Sequence, residues 1–147
     1  MPCAAAGGNY CIKLRTAYQS FDAAQSVAAG YNSAFPAYLY GQYFVLIGGY
    51  SSAVSAQSAM AKLGVAGDVF TGSSRAAAVS VTNSYTTLFM LDCGTDATLA
   101  VHPTTSSGKA VTSYGGKTYY GDFEFLRFIS DAFTVINCVG VDDYVKG

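Results

Sequence analysis

The sequence predicts an α+β protein: a ferredoxin-like βαββαβ unit over residues 9–75, followed by a mostly antiparallel β region over 76–147. Three observations carry this expectation. The first half contains a repeat at an offset of 32 residues. Each copy passes from strand periodicity to helix periodicity and back. Beyond Ala76 helical periodicity gives way to β-branched, Gly, Ser and Thr residues.

The repeat emerges when "CIKLRTAYQSFDAAQ" (11–25) is set above "YFVLIGGYSSAVSAQ" (43–57). Leu14 then meets Leu46, Tyr18 meets Tyr50, Ser20 meets Ser52, Ala24 meets Ala56 and Gln25 meets Gln57. In the first strand Ile12 and Leu14 alternate with Lys13 and Arg15, the period of a half-buried strand. In "QYFVLIGGY" both parities are apolar, so the faces of Tyr43, Val45 and Ile47 stay open. Two apolar faces imply that something covers the sheet, the second half of the chain being one candidate.

Ser20, and Ser51 or Ser52, can offer the hydroxyl that caps the first amides of a helix. "FDAAQSVAAGY" places Phe21, Ala24, Val27, Ala28 and Tyr31 on one helical stripe. "SAVSAQSAMAKLG" does the same with Val54, Ala56, Met60 and Leu63, and Gly64 stands where a left-handed residue ends a helix. The closing strands are 34–41 and 67–73. Right-handed crossovers then leave both helices on one face and make the other the natural binding surface of this half.

Further strands are expected at 77–83, 86–92, 98–103, 109–116, 117–129 and 133–139. Asn83-Ser84, Cys93-Gly94, Ser107-Gly108 and Gly115-Gly116 punctuate them as turns.

Composition narrows the function classes. The chain is 51% hydrophobic and 12% charged, which disfavours disorder. A net charge of -1 gives no field for nucleic acid, and the sheet lacks the basic patch and aromatic strand of an RNA binder. No apolar run reaches the roughly 18–20 residues of a membrane span. Residues 1–9 lack the basic and apolar regions of a signal peptide. Cys3, Cys11, Cys93 and Cys138 show no zinc spacing; one or two disulfides or buried thiols are the alternatives. No metal and no cofactor are expected.

No Ser or Cys has an adjacent base, and the glycine pairs lack phosphate-loop spacing. His102, the only histidine, reads as structural or solvated. Asp122 and Glu124 alternate with aromatics as the wet face of a strand, and Glu124 has no visible catalytic partner. Asp142 and Asp143 suit a helix N-terminus better than an acid pair. Twelve Tyr and no Trp favour half-buried sheet surfaces, or contacts to sugars.

Two stretches carry family resemblances. "YFVLIGGYSSAVSAQSAMAKLG" resembles the sporulation-related repeat (SPOR) signature: an apolar strand, Gly-x-aromatic-Ser-Ser, then an Ala-bearing helix ending Lys-Leu-Gly. The resemblance implies a βαββαβ fold that binds peptidoglycan glycan strands stripped of stem peptides. "YGGKTYYGDFEFLRF" followed by "FTVINCVGVDDYVKG" is similar to the start of the stage II sporulation protein D family of amidase enhancers. The matching residues are Tyr120, Gly121, Phe123 and Phe125, then Thr134, Val135, Ile136 and Asn137, then Asp142, Asp143, Tyr144, Lys146 and Gly147.

That second resemblance implies a lytic transglycosylase whose catalytic Glu would lie beyond Gly147. This chain is then not itself catalytic and has no catalytic residue to assign. Together the resemblances imply an extracytoplasmic, cell-wall-associated module whose partners are glycan strands and other cell-wall hydrolases. The candidate glycan contacts are Lys13, Arg15, Tyr18 and Tyr50.

Overall fold

A computed structural model describes residues 9–81, 86–106, 108–127 and 133–145. The expected Asn83-Ser84 turn, Ser107, Cys3, Lys146 and Gly147 lie outside the described residues, as do the ends of the strands expected at 77–83 and 117–129. The described chain is mixed α+β, and its strands pair mostly antiparallel.

The first elements are β1 (Tyr10–Leu14), α1 (Phe21–Ala28), β2 (Ala34–Leu39), β3 (Gln42–Tyr50), α2 (Ala53–Leu63) and β4 (Gly67–Phe70). The repeat is visible in the helix starts, because Phe21 and Ala53 stand 32 residues apart and each follows a capping serine. The Ser20 hydroxyl accepts the Ala23 N–H at 3.2 Å. Ser52 accepts the Ser55 N–H while the Ser55 hydroxyl accepts the Ser52 N–H, both at 3.1 Å, closing a reciprocal cap. α2 stops at Gly64, left-handed at φ 64° as the sequence requires.

These strands lie in the order β4-β1-β3-β2, and every neighbouring pair is antiparallel. Ile12, Leu14, Val45 and Ile47 pack against Ala24 and Ala28 of α1 and Ala56 of α2, so both helices cover one face. This places Val45 and Ile47 on the helix side. Val54 departs from the expected stripe and is 71% exposed. It precedes Ala56 by two residues, about 200° around the helix, so the two cannot share a face. Leu63, at the last turn, is also exposed.

The sheet does not end there. β5 (Ala77–Ser80) and β6 (Thr87–Asp92) join it, β6 pairing parallel with β2, for a full order of β4-β1-β3-β2-β6-β5. The six-stranded sheet thus takes strands from both sides of residue 76. Its second face holds Cys11, Phe35, Ala37, Leu39, Leu46 and Met90, all buried, with Ala76 packed among them. Of the two expectations for this face, an open binding surface or a covered one, the structure shows the covered one: it is a second core that includes Ala76 and Met90 from the second half.

Chain geometry explains the cover. β4 and β5 sit at opposite edges, roughly 24 Å apart on a flat sheet with strands about 4.8 Å apart. The link from Phe70 to Ala77 includes a turn closed by the Ala76 N–H on the Ser73 carbonyl at 3.1 Å. That limits its reach to roughly 20 Å. The sheet therefore curls around the second core, and the link closes over it.

The remaining elements are β7 (Leu99–Val101), β8 (Val111–Tyr114), β9 (Lys117–Tyr120), β10 (Asp122–Leu126), β11 (Thr134–Cys138) and α3 (Val141–Val145). They form a three-stranded sheet, β11-β10-β7, and the hairpin β8-β9. The hairpin turns at Gly115 and Gly116, both at positive φ as a two-residue hairpin turn demands. Its Tyr114 and Tyr119 rings pack on Phe123 at 5.8 and 5.5 Å.

The single strand expected over 117–129 is broken at Gly121. There φ is 81°, and an added Cβ would lie 2.2 Å from the Cys138 carbonyl oxygen. Arg127 joins the two sheets: it is 5% exposed, donates to the Ala76 carbonyl at 3.1 Å, and sits over the Phe133 ring.

Candidate functional site

The four candidate glycan contacts do not converge. Lys13 projects on the second-core side of β1, with its ammonium 4.7 Å over the Phe44 ring. Arg15 lies just past the strand, in an exposed pair with Asp68 at 3.7 Å. Tyr18 is bridged to Tyr43 and Tyr50 is paired with Tyr10. Both rings pack on the helix-side core. Tyr43 and Tyr50 stand at opposite ends of β3, seven residues or roughly 23 Å apart at about 3.3 Å per residue. One sugar ring cannot touch both tyrosines, and Lys13 faces the other way.

A different cluster does converge. β7 pairs with β10 so that Val101 faces Phe123, which brings His102, the next residue, beside Asp122. Asp122 in turn faces Cys138 on β11. His102 Nδ1 lies 2.5 Å from Asp122 Oδ1, a short charge-assisted contact. Lys109 pairs with Asp143 in the first turn of α3, and its ammonium stands 5.5 Å over the Tyr120 ring. These side chains, with Pro103, Ala110 and Gly121, line an open groove of about 200 Å³.

Local folding explains how the groove is held. Gly121 kinks the chain between β9 and β10, so Tyr120 and Asp122 flank one corner. The Asn137 side-chain amide donates to the carbonyls of both, at 2.9 Å to Tyr120 and 3.2 Å to Asp122. Gly121 and Asn137 both belong to the stretches that carry the second resemblance. Their work here is to fix the corner.

Cys138, which faces Asp122 from β11, is not set up for covalent attack. The Cys138 thiol is pushed above its ordinary range by desolvation, by the Glu124 carboxylate that shares a hydrogen bond with it, and by Asp122. A thiol held in its neutral form is a poor nucleophile. Among the described residues no three His, Cys, Asp or Glu side chains are grouped to hold a metal ion. Cys93 is buried and unbridged, Cys138 is exposed and unbridged, and Cys11 lies wholly inside the second core. A larger hollow of about 330 Å³ has an entirely apolar lining that includes Val79, Val101, Phe125 and Phe133, and offers no polar side chain to orient a ligand.

His102, expected to be structural or solvated, is exposed yet paired. The signals that could have found the groove are faint: a lone His before Pro, and the Asp122–Glu124 alternation beside Tyr120. No helix among the described residues is long and apolar enough to cross a membrane. No protein-family model, curated protein or solved structure matches this chain.

Proposed function

We propose that the chain is a peptidoglycan-binding module that positions denuded glycan strands in the bacterial cell wall, outside the cytoplasm. On this reading residues 9–75 are a ferredoxin-like, SPOR-type unit. Residues 76–147 are the β-rich opening of a stage II sporulation protein D-like domain, with other cell-wall hydrolases as further partners.

The observation that carries the reading is the βαββαβ order β4-β1-β3-β2 with both helices on one face and serine caps 32 residues apart. The passage from β11 into α3, with Asp142 and Asp143 in its first turn, supports the second part. Binding through the second-core face is not part of the proposal, because the chain itself fills that face.

That filling favours one rival reading, a non-catalytic scaffold of a lytic transglycosylase that holds no glycan of its own. Co-sedimentation with sacculi stripped of stem peptides separates the two. The binding module pellets with the sacculi, and the pure scaffold stays in the supernatant.

A further inference from the structure

The geometry points to the groove between His102 and Asp143 as a subsite for one uncharged ring of a glycan strand. The inference rests on the glycan-binding reading and says where on this chain the sugar sits.

The contacts already made in the groove select the ligand class. The Lys109 ammonium is matched by Asp143, and the Asp122 carboxylate is hydrogen-bonded to the His102 ring. A free anion would meet two carboxylates, while a cation would meet an ammonium and, among the described residues, no grouped set of ligating side chains. A neutral polyhydroxyl ring suits what remains. Carboxylates accept from hydroxyls, an ammonium donates to them, and the aromatic Tyr120 offers an apolar surface for C–H groups.

The groups remain reachable. The side chains of His102, Lys109, Asp122 and Asp143 keep 74%, 54%, 40% and 30% of their exposure. At about 200 Å³ the groove is smaller than the roughly 300–1,000 Å³ of pockets that enclose drug-sized ligands. Being open and small, it suits one ring of a chain lying across the surface. The Asn137 bonds and the Gly121 kink set the Tyr120–Asp122 corner before any ligand arrives, which lowers the ordering cost of binding.

The test is a sacculus-binding isotherm for the wild-type chain, Tyr120→Ala, Tyr120→Phe, Asp122→Asn and, on the exposed last turn of α2, Lys62→Ala, with circular dichroism to verify folding. Wild type, Tyr120→Phe and Lys62→Ala should bind alike. Tyr120→Ala and Asp122→Asn should each weaken binding roughly tenfold, the scale of a lost central contact. Titration with chitotetraose, an uncharged N-acetylated probe, should follow the same order. If wild type binds sacculi and the folded Tyr120→Ala and Asp122→Asn proteins bind equally well, the groove assignment falls and the glycan-binding reading stands. If wild type does not bind, both fall.

Discussion

Asp92, at the end of β6, accepts both the backbone N–H and the hydroxyl of Ser73, at 2.7 and 2.6 Å. The carboxylate is almost wholly buried, and Ser73 belongs to the link that closes over the second core. This pair fastens the cover to the sheet. Asp92→Ala should therefore cost about 1.5–3 kcal/mol, the worth of hydrogen bonds to a charged group. Ser73→Ala, which keeps the backbone donor, should cost less. Urea unfolding measures both, and equal stability of Asp92→Ala and wild type would contradict the fastening role.

Gly121 is the second point where one atom decides the local structure. A methyl there meets the Cys138 carbonyl oxygen at 2.2 Å and adopts a disfavoured φ. Gly121→Ala should destabilise by about 2–4 kcal/mol, left-handed strain plus displacement of β11. Gly116→Ala has open space around its Cβ, so strain alone should cost about 1–2 kcal/mol. Comparing the two by urea unfolding checks the contribution of the clash.

Tyr50 sets a pH dependence. Burial first, and Cys11 nearby second, push its phenol above the ordinary value of 10.0. The folded state thus prefers the neutral phenol. Its contribution to stability is complete below pH 10 and is lost as the pH rises through the raised value. The folded chain should lose stability in strong alkali, and Tyr50→Phe should flatten that loss. Alkaline unfolding followed by circular dichroism reads it, and an identical profile for Tyr50→Phe would refute it.

Cys138 should react slowly despite its exposure, because desolvation and the neighbouring Glu124 and Asp122 carboxylates hold it as a thiol. In a Cys3→Ser background, alkylation at neutral pH should run below the rate of a free cysteine peptide. Glu124→Gln should accelerate it severalfold. Rates unaffected by Glu124→Gln would remove the carboxylate from the explanation.

How much of this was legible in the sequence follows from the range of each interaction. Ser20, Ser52 and Gly64 act within one helical turn, and the hairpin glycines within four residues. A local pattern suffices to find them. Val54 misled because a run of small residues blurs which side of α2 is apolar. The faces of β3 stayed open because Val45 and Leu46 are both buried, in different cores.

Long-range features left weaker traces. The addition of β6 to β2 and the closing link depend on where distant strands pair. The groove gathers Tyr120 and Asp122 from β9 and β10, His102 and Lys109 from the segment between β7 and β8, and Asp143 from α3. Lys13, Arg15, Tyr18 and Tyr50 shared a repeat position or a strand parity, and neither property brings side chains to one point.

The central claim is that this chain holds denuded glycan, and its most direct test is the wild-type isotherm on sacculi with and without stem peptides. The account predicts saturable retention that is stronger on the stripped sacculi. Protein left in the supernatant at every sacculus concentration would contradict it.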